Sequence, residues 1–143
     1  MDPDPSIPEN PDVTGPRRCD DAPVPTTVLI VDDHAPFRTL AGQLLRAAGF
    51  EVVGEAGDGL TALAVNNDLR PDVILLDIQL PDIDGFEVIR RMRARGAAPQ
   101  VVLTSSRDAA DYTDALAASG TAGFIPKADL SGPALSELLR DCA

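Results

Sequence analysis

The sequence predicts an α/β fold: a doubly wound, five-stranded parallel sheet flanked by five helices. Between residues 27 and 142, short β-branched apolar runs alternate with segments whose apolar residues recur every three or four positions. Five apolar strands alternating with five helices imply a parallel sheet covered on both faces. Aromatic residues make up only 3% of the chain and Trp is absent, so the core must be built from Val, Ile, Leu and Ala.

Each element has its own warrant. Thr27–Val31 (TVLIV) is a β-branched apolar run that ends in two Asp. Residues 35–48 follow as a helix, with Phe37, Leu40, Ala41, Leu44, Leu45 and Ala48 forming one stripe and Gly49 as a stop. Glu51–Ala56 (EVVGEA) reads as a second strand and Gly59–Leu69 as a short helix. The GDG at Gly57–Gly59 supplies a turn and an N-cap; no GxxxxGK[ST] follows that would make it a phosphate loop. Residues 72–77 (DVILLD) form a third strand, 85–95 a helix and 100–104 (QVVLT) a fourth strand. Residues 108–119 form a helix, 122–125 a fifth strand and 130–142 a closing helix. Right-handed crossovers leave few topologies for this order. A doubly wound sheet places its site at the carboxyl ends of the central strands, so the loops after the strands are the ones to inspect.

The totals set limits on function. At 143 residues there is room for one domain of ordinary size, and a 44% apolar content allows a real core. Residues 1–25 hold seven of the thirteen prolines and six acids against two arginines, which predicts a disordered tail preceding a domain over 26–143. A net charge of −11 opposes broad attraction to nucleic acid or to an anionic membrane. No apolar run approaches the roughly 18 residues of a spanning helix, and the acidic N-terminus has no signal-peptide character. Cys19 and Cys142, near opposite ends of the chain, read as free thiols and fit a cytoplasmic location.

Four of the five strands end in reactive side chains: Asp32 and Asp33 after the first, Asp77 on the third, Thr104 and Ser105 at the fourth, and Lys127 after the fifth. Crowding three carboxylates costs about 3 kcal/mol per pair at roughly 5 Å and an effective dielectric near 20. Either one proton is retained or a divalent cation fills the gap. The ligands on offer are oxygens, so the cation expected is Mg²⁺. Lys127 is the only lysine among twelve basic residues, which suggests a place that needs a compact ammonium rather than a planar guanidinium.

The segments VLIVDDH, LLDIQLPDIDGFE, VVLTSS and AGFIPKADL, in that order and at compatible spacings, resemble the response-regulator receiver family across essentially all of 27–142. The openings DDHAPFR and EVVGEAGDG and the ending PKADLS look most like receivers of the NarL/FixJ kind. The resemblance implies the flavodoxin-like receiver fold and a two-component signalling role. It implies that Asp77 is the phosphoacceptor, and that Asp32, Asp33, Asp77 and the backbone carbonyl of Gln79 bind Mg²⁺. It further implies that Thr104 and Lys127 contact the phosphoryl oxygens, that Thr104 and Phe124 form the switch, and that Pro81 and Gly85 shape the loop after Asp77.

There are departures. Many receivers carry Pro directly after the lysine, whereas here Pro126 precedes Lys127 and Ala128 follows it. At the switch position Phe124 lacks the hydroxyl of Tyr. Gln79 and Ser106 occupy positions where the family varies. The chain ends at Ala143, directly after its last helix, so the expectation is a single-domain regulator without a DNA-binding output domain.

Other features read as structural. His34 beside two Asp is a loop residue at the mouth of a helix. The arginines of IRRMRAR form a solvated helix face favoured by the dipole. Arg107 near Thr104 is more simply a surface residue. Of the functions compatible with this pattern, the first is a module phosphorylated on Asp77 by a histidine kinase or phosphotransfer protein. It would act by contact with a downstream protein and could form a homodimer, with no direct DNA binding, no membrane association and no turnover beyond its own phosphorylation and dephosphorylation. An aspartate-nucleophile phosphatase of the haloacid-dehalogenase type would need an acid where Gln79 stands. The alternative is a receiver-like binding module that works without phosphorylation; the intact Asp32, Asp33, Asp77, Thr104 and Lys127 set argues against it.

Overall fold

In the computed structural model, residues 26–96, 99–106 and 121–139 are described. Five parallel strands stand in the order β2-β1-β3-β4-β5, formed by β1 (Thr27–Val31), β2 (Glu51–Ala56), β3 (Val73–Asp77), β4 (Gln100–Ser105) and β5 (Gly123–Pro126). The described helices are α1 (Ala35–Ala47), α2 (Gly59–Leu69), α3 (Gly85–Ala94) and α4 (Gly132–Leu139). The expected doubly wound sheet is present. The tail over 1–25, the helix over 108–119, Arg107 and both cysteines lie outside the described residues.

The strands are apolar throughout because both faces are covered. In β1, Leu29 and Val31 turn toward Ala62 and Leu63 of α2 and Val88, Ile89 and Met92 of α3. Val28 and Ile30 turn the other way, toward Phe37, Ala41 and Leu45 of α1 and Leu135 and Leu139 of α4. In β3, Ile74 and Leu76 join the first cluster and Val73 and Leu75 the second. Removing each such side chain from water contributes about 1.5–3 kcal/mol, so these two strands anchor the fold.

The edge strand β2 is different. Glu51 and Glu55 are exposed, and the register runs Val28↔Val52 and then Leu29↔Gly54, stepping over Val53. This bulge sets the end of β2 back by one residue, so that Glu55 and Ala56 stand beside Ile30 and Val31. Gly54 lets Leu69 pack closely there: a Cβ would lie 2.9 Å from Leu69 Cδ1, so that side chain would have to shift.

Several boundaries and faces differ from the sequence reading. Leu40, assigned to the buried stripe of α1, is 49% exposed, and Ala48 is exposed just past the helix end. The buried face is the narrower set Phe37, Ala41, Gly42 and Leu45. The third strand starts at Val73 because the Asp72 carboxylate accepts from Thr27 N–H (3.0 Å) and Thr27 Oγ1 (3.1 Å), clasping the far end of the sheet. The fourth strand extends to Ser105, and the fifth runs Gly123–Pro126 rather than 122–125. Pro126 is tolerated because β5 is an edge strand. Lys127–Asp129 form a 3-10 turn, so the last helix begins at Gly132 instead of residue 130.

Candidate functional site

The carboxyl ends of β1, β3, β4 and β5 meet at one edge of the sheet. Asp77 is the last residue of β3 and pairs in register with Thr104 of β4, which in turn pairs with Ile125 of β5. Asp32 follows β1 directly. Its N–H donates to Ala56 O (3.0 Å), so the chain leaves the sheet alongside β2.

Asp32 is fully buried and Asp77 is 3% exposed, whereas Asp33 is exposed. One carboxylate oxygen from each of the three lies within 4.8 Å of the others. Short backbone contacts aim two of them: Asp32 Oδ1 accepts from His34 N–H (2.8 Å) and Asp77 Oδ1 from Gln79 N–H (3.2 Å). The second oxygens face Lys127, whose Nζ lies 2.7 Å from Asp32 Oδ2 and 3.3 Å from Asp77 Oδ2. The ammonium also sits 4.9 Å from the centroid of the Phe37 ring, a cation–π contact from α1.

The charges shape one another. Burial, reinforced by the neighbouring Asp32 charge, raises the Asp77 pKa from 3.8 to about 6 against the opposing pull of Lys127 and the Gln79 N–H. Burial alone would lower the Lys127 pKa, but the Asp32 and Asp77 carboxylates outweigh it and the net shift is upward. Lys127 is therefore firmly protonated and shared between two acids, while Asp77 is a carboxylate held at some cost.

The donor set suits a hard cation. Asp32 Oδ2 is buried and receives no aligned hydrogen bond, although the Lys127 charge is beside it. Three carboxylates at this spacing match the oxygen ligation of Mg²⁺, which takes a few carboxylates and keeps water in its other positions.

Of the residues singled out in the sequence, Asp32, Asp33, Asp77, Thr104 and Lys127 come together at this edge. Thr104 is buried, 1% exposed, and its carbonyl accepts from Ile78 N–H (2.9 Å), tying β4 to the turn after Asp77. Gln79 is exposed and meets Asp77 through its N–H. Phe124 is half-buried against the cluster under α2 and α3. The His34 side chain is exposed and caps nothing, as a loop residue would be. Arg90 and Arg91 pair with Glu87 on their own helix, a solvated face as expected.

Gly85 does more than shape a loop. A Cβ on it would lie 2.7 Å from Asp77 O, so only glycine lets α3 start this close to the end of β3. Asp84 caps α3 by accepting from Glu87 N–H (2.8 Å), and Asp58 caps α2 through Thr61 N–H (2.7 Å).

Three residues escaped the sequence reading. Phe37 was assigned to the core and also receives the ammonium. Asp82, in the loop after Asp77, accepts from Gly59 N–H (2.8 Å) and Leu60 N–H (2.9 Å), fastening that loop to the start of α2. Burial raises its pKa, yet the backbone donors of Gly59, Leu60 and Ile83 together outweigh it and lower the pKa from 3.8 to about 2. Arg38 donates to Asp32 O (2.6 Å) and to Glu55 Oε1 (3.0 Å). A basic residue one helical turn past the Asp pair, and a second Asp two places before a helix cap, were the available signals.

Known proteins carry the same pattern. Residues 28–138 match a family described as response regulator receiver domain. The transcriptional regulatory protein PdtaR of Mycobacterium tuberculosis is 41% identical over 98 residues, covering 67% of this chain and 48% of that protein. The virulence-factor transcription regulator BvgA of Bordetella pertussis is 35% identical over 100 residues, covering 70% and 48%. The chain thus spans about half the length of these relatives. Among solved structures, the NarL signal receiver domain from Mycobacterium tuberculosis superposes with a TM-score of 0.73 at 35% identity, covering 84% of this chain and 97% of that one. The response regulator domain of Thermotoga maritima CheB does so at 0.70 and 31% identity, covering 81% and 94%.

Proposed function

The chain belongs to the response regulator receiver family, and from that premise we propose that it accepts a phosphoryl group on Asp77 from a histidine kinase or phosphotransfer protein and signals by contact with a downstream protein. The observation that carries this reading is the sharing of one ammonium, Lys127 Nζ, between Asp77 and Asp32, with Thr104 in register beside Asp77. Phosphoryl transfer asks for positioning and charge neutralisation more than for covalent help, and this is a site of fixed charges.

A carboxylate oxygen of Asp77 attacks phosphorus, the bond to the donor breaks as the acyl phosphate forms, and the donor leaves with the bonding pair. With a pKa near 6, Asp77 is mostly ionised at neutral pH, as a nucleophile must be, and its burial leaves it poorly hydrated. Lys127 and the Thr104 hydroxyl are the groups that would meet the new oxygens. Asp32, Asp33 and Asp77 would hold Mg²⁺, with the Gln79 carbonyl as a further oxygen ligand, and the ion supplies positive charge against the phosphoryl oxygens. Before transfer, Lys127 is divided between two acids; a phosphoryl group offers it three more acceptors. Its movement would carry the end of β5, where Phe124 can change its packing without any hydroxyl to hydrogen-bond. A changed surface near β4 and β5 would then meet a partner protein or a second copy of the chain.

The whole-protein activities of the longer regulators belong to those proteins. The net charge of −11 supports protein contact over direct nucleic-acid binding. No helix of the described residues is long and apolar enough to cross a membrane, which accords with a cytoplasmic role. The test is incorporation of phosphate from acetyl phosphate, with and without Mg²⁺, in wild type and Asp77→Asn. Labelling that requires Mg²⁺ and disappears in the variant is the expected result. A folded wild-type protein that binds Mg²⁺ but takes no label would instead make this a binding module independent of phosphorylation.

A further inference from the structure

Asp33 stands apart from the other two acids of the cluster. It is exposed, and its side chain makes no hydrogen bond with another described residue. Nothing at the tip of that side chain aims it, so what the fold fixes is the position and direction of its Cα–Cβ bond, set by the backbone beneath it. The backbone of Asp32 is held at both ends. On one side of Asp32, its own N–H is bound to Ala56 O (3.0 Å). On the other, its carbonyl accepts from Arg38 Nη1 at 2.6 Å.

Arg38 is itself fixed. Its Nε donates to Glu55 Oε1 at 3.0 Å, and the guanidinium lies against Gly57, where an added Cβ would stand 3.4 Å from Nη1. Glu55 lies on the α1 side of the sheet because β2 steps over Val53, which pairs Glu55 with Ile30 instead of Val31, and Ile30 packs toward α1. One planar fork therefore spans two elements, with Nε on one acceptor and Nη1 on another. Because the carbonyl of Asp32 and the N–H of Asp33 share one rigid plane, holding that carbonyl fixes where the Cα of Asp33 starts.

From this geometry we infer that Arg38 is a positioning residue for the divalent-cation site, with Glu55 as its support. It sets the Asp32–Asp33 peptide so that the exposed Asp33 carboxylate meets those of Asp32 and Asp77. Groups that orient ligands in this way typically change metal affinity by roughly 10–100-fold when removed. This inference rests on the reading of the acidic cluster as a Mg²⁺ site.

The experiment is titration of the full chain with Mg²⁺ by calorimetry, with the fold of each variant checked by circular dichroism. Arg38→Met keeps the apolar stem and deletes the donors, and should weaken Mg²⁺ binding about tenfold. Glu55→Ala should weaken it by less, and Glu55→Gln, which keeps an acceptor for Nε, should return near to wild type. Saturating Mg²⁺ should restore the rate of labelling by acetyl phosphate in Arg38→Met, because affinity and not the reacting groups is what changed. A folded Arg38→Met or Glu55→Ala that binds Mg²⁺ as wild type does overturns the role of Arg38. Wild type that binds no Mg²⁺ overturns the metal reading itself. Should Arg38→Met fail to fold, the Glu55→Ala and Glu55→Gln pair decides the matter alone.

Discussion

Asp32 and Asp77 are each aimed by a backbone N–H two residues further along the chain, whereas Lys127 reaches Asp77 from fifty positions away. The acidic half of the site is thus built from local turns at the ends of two buried strands. The cationic half depends on the sheet order β1-β3-β4-β5, on a 3-10 turn after an edge strand, and on the Phe37 ring contributed by α1. The difference teaches that pairing of β1 with β3 suffices to set Asp32 beside Asp77, whereas balancing their charge requires β5 at the far side of the sheet.

Removing the cation should break this arrangement most severely. Lys127→Ala leaves a fully buried Asp32 and a buried Asp77 without their shared partner. A loss of about 2–3 kcal/mol of stability is expected in metal-free buffer at neutral pH, somewhat under the figure for a fully enclosed pair because Lys127 keeps some exposure. Mg²⁺ should return more stability to this variant than to wild type, since it supplies the missing positive charge. Urea denaturation with and without Mg²⁺ measures both quantities. Equal losses in the two conditions would mean that Lys127 acts through its apolar stem and not as a counter-ion.

A smaller effect is expected on the acidic side from Gly85→Ala. The new Cβ meets the backbone oxygen of Asp77 at 2.7 Å, and backbone cannot swing aside as a flexible side chain would. A cost of about 1–2 kcal/mol is expected, with the strain of overpacking partly offset by the better helix propensity of Ala. The same denaturation experiment reports it, and an unchanged midpoint would show that α3 can start further from β3 than it does here.

The mildest change sharpens the contrast between buried and exposed acids. Asp82 is a solvent-facing acid whose carboxylate is stabilised by backbone N–H groups of α2, so its folded pKa lies below its unfolded one. Its contribution is therefore fully present above the unfolded value of about 3.8 and is lost as pH falls through about 2. Asp82→Asn should lower the melting temperature slightly near pH 5, and the gap from wild type should close between pH 4 and 2. A gap that stays constant over that range would assign Asp82 a packing role independent of its charge.

Much of the fold was legible before any coordinates. The runs TVLIV and VILLD could hardly be anything but two-sided strands, and Asp58 ahead of a helical segment was a visible cap. What misled was periodicity at the margins. Leu40 fits a helical stripe but falls at its edge, where the sheet offers nothing to cover it. Asp72 and Leu130 sit beside apolar runs and were joined to them, although one is withdrawn by the clasp with Thr27 and the other follows a 3-10 turn. At the site, the reactive side chains could be read because each follows a strand. Asp82 was harder to read because it binds backbone N–H groups 22 and 23 residues away, and Arg38 because its bridge depends on Glu55, 17 residues away on another strand.

By itself the sequence determined which faces of the chain are apolar, where strands and helices alternate, and which side chains stand at the strand ends. Those are local properties, set by side-chain hydrophobicity, backbone preference and capping. The tertiary structure alone decided that Lys127 is shared between Asp32 and Asp77, that Asp77 is held near a pKa of 6, and that Arg38 bridges Asp32 and Glu55. Distances of a few ångströms between residues far apart in the chain govern burial and charge coupling, and only the packed sheet sets such distances.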